Sequence, residues 1–296
     1  MNSKIEYFKN KFSKFEDNFY ILDKNDAYAD NFGKQWRDYR NVQIDSYNNF
    51  KISIEYLNEM VFNNISLLKD KNILEIGSGA GRFTEYLAKY AKKCVSVDLS
   101  SSIYHNISRN EKNVTFIKAD FNKLLIDKKF DIIFCRGVLQ HTPNPLDSLL
   151  KIHSFVNNDG YVFFDIYKMP IIGYAHPKYF LWRPLIKKIY KYEKFESFLK
   201  KRIEIILKLK RLIKKIFFNS DFFSDCIIPI WDYKGKLDIS DESLKLWSIM
   251  DTLDGIYAKY DYPQSNKKIV NFLNTKKIII INNNKIKNIL QTKLSK

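Results

Sequence analysis

Short apolar runs alternate with segments of helical period through the middle of the chain. Five such runs have the length and composition of buried parallel strands: 72–76, 94–97, 114–119, 130–135 and 161–166. The segments between them space apolar residues three and four apart, as in Phe83, Leu87 and Tyr90, which indicates helices. Strands and helices alternating at this pitch predict an α/β fold, with a mostly parallel Rossmann-like sheet and right-handed crossovers.

The two ends of the chain show other patterns. Aromatic residues recur at helical spacing in the first twenty positions (Phe8, Phe12, Phe15, Phe19), which predicts a helix lying on the body, within an N-terminal helical cap over 1–50. Near the other end we expect a helix over 266–274, a strand over 276–281, a turn at 282–284 and a last strand over 285–290. Such a hairpin would close the sheet in antiparallel fashion.

A long insertion separates the fifth run from this closing hairpin. It covers 168–263, reads as helical, and includes a further helix over 244–254 that we expect to end at Gly255. The predicted organisation is therefore a cap over 1–50, a core over 51–167, the insertion, and closing elements of the core over 264–296. An apolar stripe marks the middle of the insertion: Leu199, Ile203, Ile206, Leu209, Ile213, Ile216 and Phe217.

Three glycines at alternate positions follow the first strand, and they permit a sharp turn and close approach of a ligand to the backbone. The dinucleotide pattern G-x-G-x-x-G requires a third glycine where this chain has Arg82. The phosphate-binding loop that ends in Gly-Lys-Ser/Thr is also absent from this stretch. The remaining pattern is acidic-x-Gly-x-Gly-x-Gly, which begins at Glu75.

This pattern resembles motif I of the class I S-adenosylmethionine (SAM)-dependent methyltransferases. The resemblance continues in order through Asp98, Ala119-Asp120, Phe130-Asp131 and Asp159-Gly160, and departs only at Tyr161, where a second glycine is common. It implies an enzyme of that class, a Rossmann-like sheet with a closing antiparallel hairpin, and SAM as the cofactor. An acidic residue at the end of the second strand, here Asp98, is placed to receive ribose hydroxyls.

The resemblance carries cofactor-binding roles onto matching residues. It implies that Asp120 accepts from the adenine amine and that Phe121 covers the ring, while the Glu75 carboxylate lies near the cationic amino-acid end of SAM. The complete expected cofactor set is Glu75, Gly77, Ser78, Gly79, Gly81, Asp98, Leu99, Asp120, Phe121 and Arg136. We expect no metal.

A narrower resemblance links the chain to bacterial methyltransferases of the type 11/12 kind. It rests on Phe32-Gly33-x-Gln35-Trp36, on the stretch 137–145, and on the stretch 253–264. In that group the residue before His141 is usually histidine, whereas this chain has Gln140. The group acts on small molecules and on surface glycans. This implies methyl transfer to oxygen or nitrogen of a small-molecule, surface-glycan or lipid-linked acceptor.

His141 follows the fourth strand, at the carboxyl edge of the sheet where sites of open α/β folds form. It is our candidate general base for a hydroxyl acceptor, and a structural histidine bonded to loop backbone is the alternative. We expect Gln140, Gln35, Trp36 and Arg40 to contact substrate, and Arg136 is also placed to orient it. An RNA methyltransferase and a non-catalytic SAM-binding protein remain alternative functions.

The net charge of +17 suggests an anionic partner, although a chain rich in Lys, Ile and Asn can also follow from AT-rich coding. Residues 183–217 carry thirteen basic and three acidic side chains. Three interpretations are open for this segment: a helical lid with a solvated basic face, an amphipathic helix on an anionic membrane, or a nucleic-acid surface. Nucleic acid is the least expected partner.

The chain is expected in the cytoplasm, with peripheral contact to the inner membrane face as an open possibility. Its N-terminus has no apolar signal sequence, and no run approaches the length of a membrane span. The cysteines Cys94, Cys135 and Cys226 are scattered and odd in number, which fits free thiols.

Overall fold

The computed structural model describes residues 2–294. In chain order the strands are β1 (Asn2–Ile5), β2 (Phe8–Glu16), β3 (Phe19–Ile21), β4 (Asn72–Ile76), β5 (Lys93–Asp98), β6 (Val114–Lys118), β7 (Phe130–Cys135), β8 (Val156–Asp165), β9 (Ile278–Asn284) and β10 (Ile289–Leu294). The α-helices are α1 (Asp30–Asp38), α2 (Asp45–Asn48), α3 (Ile52–Met60), α4 (Thr84–Tyr90), α5 (Pro145–His153), α6 (Arg183–Ile189), α7 (Tyr192–Ile216), α8 (Asp221–Ile227), α9 (Asp241–Tyr257) and α10 (Asn266–Thr275).

All described strands join one sheet in the order β1-β2-β3-β6-β5-β4-β7-β8-β10-β9. Strands β3, β6, β5, β4, β7 and β8 are parallel, and β10 runs antiparallel between β8 and β9. The order reverses between β4 and β7, so the carboxyl ends of these strands form the crevice where ligands of open α/β sheets bind. The parallel Rossmann-like sheet and its antiparallel closing hairpin confirm the predicted fold class.

The helix predicted over the first twenty residues is wrong, because this segment forms β1, β2 and β3. Spacings of four residues satisfy a strand as well as a helix, since four is a multiple of the strand period of two. Accordingly Phe8 and Phe12 share one buried face of β2, whereas Phe15 is half exposed. β3 pairs in parallel with β6 and thereby supplies hydrogen-bond partners to what would otherwise be an open edge.

Three other boundaries differ from expectation. The predicted turn at 158–160 lies inside β8, where a register shift relative to β7 brings Gly160 so close that a Cβ would sit 2.5 Å from the Asp131 carbonyl oxygen. Gly255 lies within α9 instead of ending it. A Cβ there would meet the Trp231 ring at 2.6 Å, so the glycine serves packing. The predicted turn at 282–284 belongs to β9, and the last strand is β10.

The chain divides into two compact units. The larger comprises residues 1–40, 44–169 and 259–296, and it contains the whole sheet. The smaller comprises 41–43 and 170–258, and in it α7 packs against α8 and α9. No helix in the described part of the chain is long and apolar enough to cross a membrane.

Substitutions in β2 test its assignment as a strand. Phe12→Ala removes a fully buried ring and should lower the free energy of unfolding by about 3–5 kcal/mol. Phe15→Ala, on the exposed face of the same strand, should cost less than about 1 kcal/mol, and urea denaturation measures both. Equal losses from the two variants would favour a helix with a single buried aromatic face.

Candidate functional site

A glycine loop connects β4 to α4 at the point where the strand order reverses. Gly77, Gly79 and Gly81 have φ angles of +80°, +53° and +101°, a region that residues with a Cβ rarely adopt. Gly77 also allows a close approach, because a Cβ there would lie 2.0 Å from Cγ2 of Val138. The loop therefore requires glycine for its backbone path and for its packing on the segment after β7.

The Asp98 carboxylate, at the end of β5, holds this loop in place. Its Oδ2 accepts the Gly79 N–H at 2.7 Å, and its Oδ1 accepts both the N–H and the hydroxyl of Ser100, at 2.7 and 2.6 Å. Burial raises the pKa of Asp98, and these three donors oppose that rise. Leu99, the next residue, is buried.

The Glu75 side chain, at the end of β4, is buried in the protein interior next to the glycine loop. Its Oε2 accepts hydroxyl protons from Thr84, at the start of α4, and Ser96, on β5, each at 2.7 Å. Asn106 continues the chain of hydrogen bonds by donating to Thr84 at 3.0 Å. Burial raises the pKa of Glu75 to about 7, and the two hydroxyls counteract part of that rise.

Asp120 and Phe121 follow β6. Oδ1 of Asp120 accepts the backbone and side-chain N–H groups of Asn122, at 3.0 and 3.1 Å. Burial and the neighbouring Asp120 carboxylate raise the pKa of the Tyr28 hydroxyl far above its usual value. Phe121 is buried in the apolar core on one face of the sheet. The carboxylates of Asp98 and Asp120 thus stand at the ends of adjacent strands.

The segment before α1 binds to the same edge of the sheet. Asp26 forms an ion pair with the buried Lys118 ammonium at 2.9 Å and accepts the Ser101 N–H at 2.7 Å. Lys118 also donates to the Leu99 carbonyl oxygen at 2.9 Å. Asp23 accepts the Asp120 N–H at 2.9 Å. These contacts fasten the N-terminal segment to the loops that follow β5 and β6.

α1 brings one of its predicted site residues to the glycine loop. The Trp36 ring packs on Gly79, where a Cβ would lie 3.5 Å from two of its ring atoms. Gln35 is buried on the same helix, whereas Arg40 is exposed. Partial burial, and then the charge of Arg40, lower the pKa of the nearby His105. Of these three residues, Trp36 therefore reaches the loop, and Arg40 lies beside His105, at the end of the short 3-10 helix Ser101–His105 that follows β5.

His141 and Gln140 lie in the loop after β7. Nδ1 of His141 is 2.9 Å from the Tyr260 carbonyl oxygen, and its ring packs against Phe32 and Tyr167, with centroid distances of 4.8 and 5.3 Å. A carbonyl oxygen only accepts, so Nδ1 carries the proton and the neutral ring has its lone pair on Nε2. Gln140 is fully buried and accepts the Tyr167 N–H at 3.3 Å.

Arg136 is the first residue after β7. Its guanidinium carbon lies 4.2 Å from the centre of the Tyr56 ring and 5.5 Å from that of Phe83. Oδ2 of Asp165 lies 3.7 Å from Nε of Arg136, which is beyond hydrogen-bonding distance, and Oδ1 of Asp165 accepts the Gly137 N–H. Within the described residues Nε of Arg136 is buried and makes no hydrogen bond.

Sequence reasoning missed four residues that shape this edge of the sheet: Asp23, Asp26, Tyr28 and Lys118. The sequence could have pointed to Lys118, because this lysine ends an apolar strand and a buried lysine requires an acidic partner. The other three lie in a polar stretch whose pattern gives no sign of where it docks.

The sequence profile of the methyltransferase domain family matches residues 74–164. Several curated relatives carry the name ubiquinone biosynthesis O-methyltransferase. That of Coxiella burnetii (strain Dugway 5J108-111) is 27% identical over 118 residues, which is 38% of this chain and 48% of the relative. The relative from Actinobacillus pleuropneumoniae serotype 7 (strain AP76) is 26% identical over 143 residues, which is 42% of this chain and 59% of the relative. The chain thus spans about half the length of these relatives.

Solved structures give more distant likenesses. Magnesium protoporphyrin IX methyltransferase from Synechocystis PCC 6803, with bound S-adenosylhomocysteine, is 12% identical with a TM-score of 0.44, over 83% of each chain. The N-methyltransferase NodS from Bradyrhizobium japonicum WM9, also with S-adenosylhomocysteine, is 20% identical with a TM-score of 0.38, over 47% of this chain and 74% of that one.

Residues 74–164 are thus similar to a methyltransferase domain. The loop geometry fits the cofactor that the sequence resemblance implies, SAM, because the Ser78 hydroxyl is buried within the loop and makes no hydrogen bond to the described residues. The family match begins after the stretch 32–36, so the narrower group suggested by that stretch stays a prediction. The roles of the individual site residues stay predictions as well.

The raised pKa of Glu75 predicts a pH-dependent stability. Because the pKa of Glu75 is higher in the folded than in the unfolded state, protonation of its carboxyl stabilises the folded state. This stabilisation is complete below pH 4.5 and is lost as the pH rises through about 7. Glu75→Gln is neutral throughout. The variant should therefore gain about 2–3 kcal/mol on the wild type between pH 5 and pH 8, measured by urea denaturation. The exposed Glu111→Gln should show no such gain. A pH-independent difference for Glu75→Gln would mean that Glu75 is buried as an anion.

Proposed function

We propose that the protein transfers a methyl group from SAM to oxygen or nitrogen of a small-molecule acceptor. The observation that supports this most strongly is the glycine loop, with the Ser78 hydroxyl inside it and Asp98 beside it, at the point where the strand order reverses. An activated methyl group supplied by the cofactor leaves the protein to bind, align and exclude water.

The proposed cofactor site runs along the ends of β4, β5 and β6. Asp98 accepts hydrogen bonds from the ribose hydroxyls, while its existing bond to the Gly79 N–H keeps the loop in the receiving conformation. Asp120 receives the adenine amine beside Leu99 and Phe121. In this proposal Glu75 positions the loop through Thr84 and Ser96, since its contacts are internal. Trp36 covers Gly79 and keeps water from the loop.

His141 is proposed as the general base for a hydroxyl acceptor. Its hydrogen bond to the Tyr260 carbonyl oxygen fixes the tautomer in which Nε2 accepts a proton. SAM would supply the methyl group, with its sulfur–methyl bond breaking as the bond to the acceptor oxygen forms and with S-adenosylhomocysteine as the leaving group, and Nε2 of His141 would take the hydroxyl proton. An amine acceptor that is already neutral would not require this step, so dependence on His141 would itself indicate the atom methylated.

The acceptor is proposed to be polar or anionic and bound by Arg136 and Gln140. Arg136 lies over the Tyr56 ring, and its buried Nε–H makes no hydrogen bond to the part of the chain that the structure describes, which suits a carboxylate, phosphate or sugar hydroxyl. Lipid-linked and surface glycans carry such groups. Since this chain is similar to relatives named ubiquinone biosynthesis O-methyltransferase, we include phenols among the acceptors to be screened. Burial raises the pKa of the Cys135 thiol, which argues against a cysteine nucleophile of the kind used on nucleic-acid bases.

Calorimetric titration with SAM tests the cofactor site. The wild type should bind, and Asp98→Asn should weaken binding at least about tenfold, because the amide can accept fewer hydrogen bonds and carries no charge. Asp127→Asn, an equal charge change on an exposed residue before β7, should bind like the wild type. Unchanged binding by Asp98→Asn would remove the ribose assignment, and no binding by the wild type would contradict the proposed site.

His141→Asn separates catalysis from structure, because the asparagine amide can donate to Tyr260 as Nδ1 does but has no base at the position of Nε2. With an acceptor found by screening nucleotide sugars, lipid-linked glycans and phenols, S-adenosylhomocysteine formation should fall about 10²–10⁴-fold in kcat. The affinity for SAM should not change. Full turnover by the variant would assign His141 a structural role only.

A further inference from the structure

The smaller unit exposes an unusual amount of apolar surface. Of the 25 large apolar side chains exposed in the described chain, 16 lie between residues 170 and 258. Scattered exposed apolar residues are normal, whereas a contiguous apolar surface marks a binding site. Five of these exposed apolar residues lie on the 25-residue helix α7.

α7 has two apolar faces instead of the single stripe predicted from its sequence. The inner face is buried and consists of Tyr192, Phe195, Leu199, Ile203 and Leu207. The outer face consists of residues spaced seven, four, three and four apart, which places them on one line along the helix: Phe198, Ile205, Leu209, Leu212 and Ile216. Their side chains are between 38% and 64% exposed. This outer stripe extends over roughly 27 Å at the helical rise per residue.

A row of lysines borders the outer stripe. Lys194, Lys201, Lys208 and Lys215 follow one another at intervals of seven residues, so they lie along one flank, and all four are exposed. Among them Lys208 pairs with Glu204 at 2.7 Å. Arg202, also exposed, lies on the opposite flank. An apolar line with a row of cations along its side is the arrangement of helices that lie in the interface of anionic membranes.

We propose that the outer stripe of α7 docks in the plane of an anionic membrane surface, with the lysine row on the lipid headgroups. A second copy of the chain fits this surface less well, because pairing two such helices would bring cationic side chains together, whereas α7 exposes only two acidic residues, Glu193 and Glu204. The proposal concerns the smaller unit and does not depend on methyl transfer by the larger one. It explains how the protein would meet an acceptor held in a membrane.

The test is co-sedimentation of the full chain with vesicles of phosphatidylcholine alone and with 30% phosphatidylglycerol, in low salt. Binding should require the anionic lipid and should weaken as salt rises. A variant with all four lysines changed to glutamine should lose about tenfold or more in partitioning. Leu209→Gln combined with Leu212→Gln should lose a similar amount, since the stripe would no longer enter the acyl boundary.

A matched control changes four exposed lysines of the larger unit to glutamine: Lys11, Lys112, Lys267 and Lys285. This variant has the same net charge as the first one and should keep most of the binding. Equal losses from both lysine sets, indifference to anionic lipid, or full binding by the leucine double variant would each overturn the proposal. So would a dimer that the leucine double variant dissolves in analytical ultracentrifugation, or salt-sensitive RNA binding without vesicle binding. Circular dichroism checks that the variants are folded.

Discussion

The hydrogen bond between Asp98 and the Gly79 N–H is the contact on which the rest of the site depends. A loop of three glycines with positive φ has a high conformational entropy when free, so it needs fixed anchors. Asp98 anchors it from the end of β5, and Glu75 anchors the start of α4 through Thr84. Both carboxylates lie in low-dielectric surroundings that raise their pKa values, and the structure offsets this with donated hydrogen bonds. The loop geometry is thus maintained by buried polar bonds and not by apolar packing alone.

The N-terminal region extends this anchoring from outside the methyltransferase domain. β3 covers the β6 edge of the sheet, and the segment that follows ties Asp26 to the buried Lys118. Breaking a buried ion pair is costly, because the remaining charge has neither water nor a partner. Tyr28 beside Asp120 and Trp36 on Gly79 are therefore held against the loops by a fixed segment. Residues outside 74–164 contribute to the proposed site through these contacts.

The two units differ in how their apolar residues are used. In the larger unit both faces of the sheet are filled with buried side chains, as a sheet with crossovers on both sides demands. In the smaller unit α7 buries one apolar face and exposes another, and Lys210 on the inner face is buried in contact with Asp225 and two carbonyl oxygens. A soluble helix usually exposes charged residues opposite its buried face. The proposal that α7 docks on a membrane surface rests on its departure from that pattern.

By itself the sequence determined the five central strands, the glycine loop and the carboxylates Asp98 and Asp120, because each depends on spacing within a short stretch. The parallel direction of these strands followed from their alternation with helices. Only the tertiary structure decided that the first twenty residues are strands, since an interval of four suits both periods until a partner edge is present. Likewise, only the tertiary structure decided that the Glu75 side chain points into the interior and accepts hydrogen bonds from Thr84 and Ser96, and that the apolar residues of α7 lie on two faces. Those outcomes depend on which distant residues supply burial and hydrogen bonds, and that information is not local in the chain.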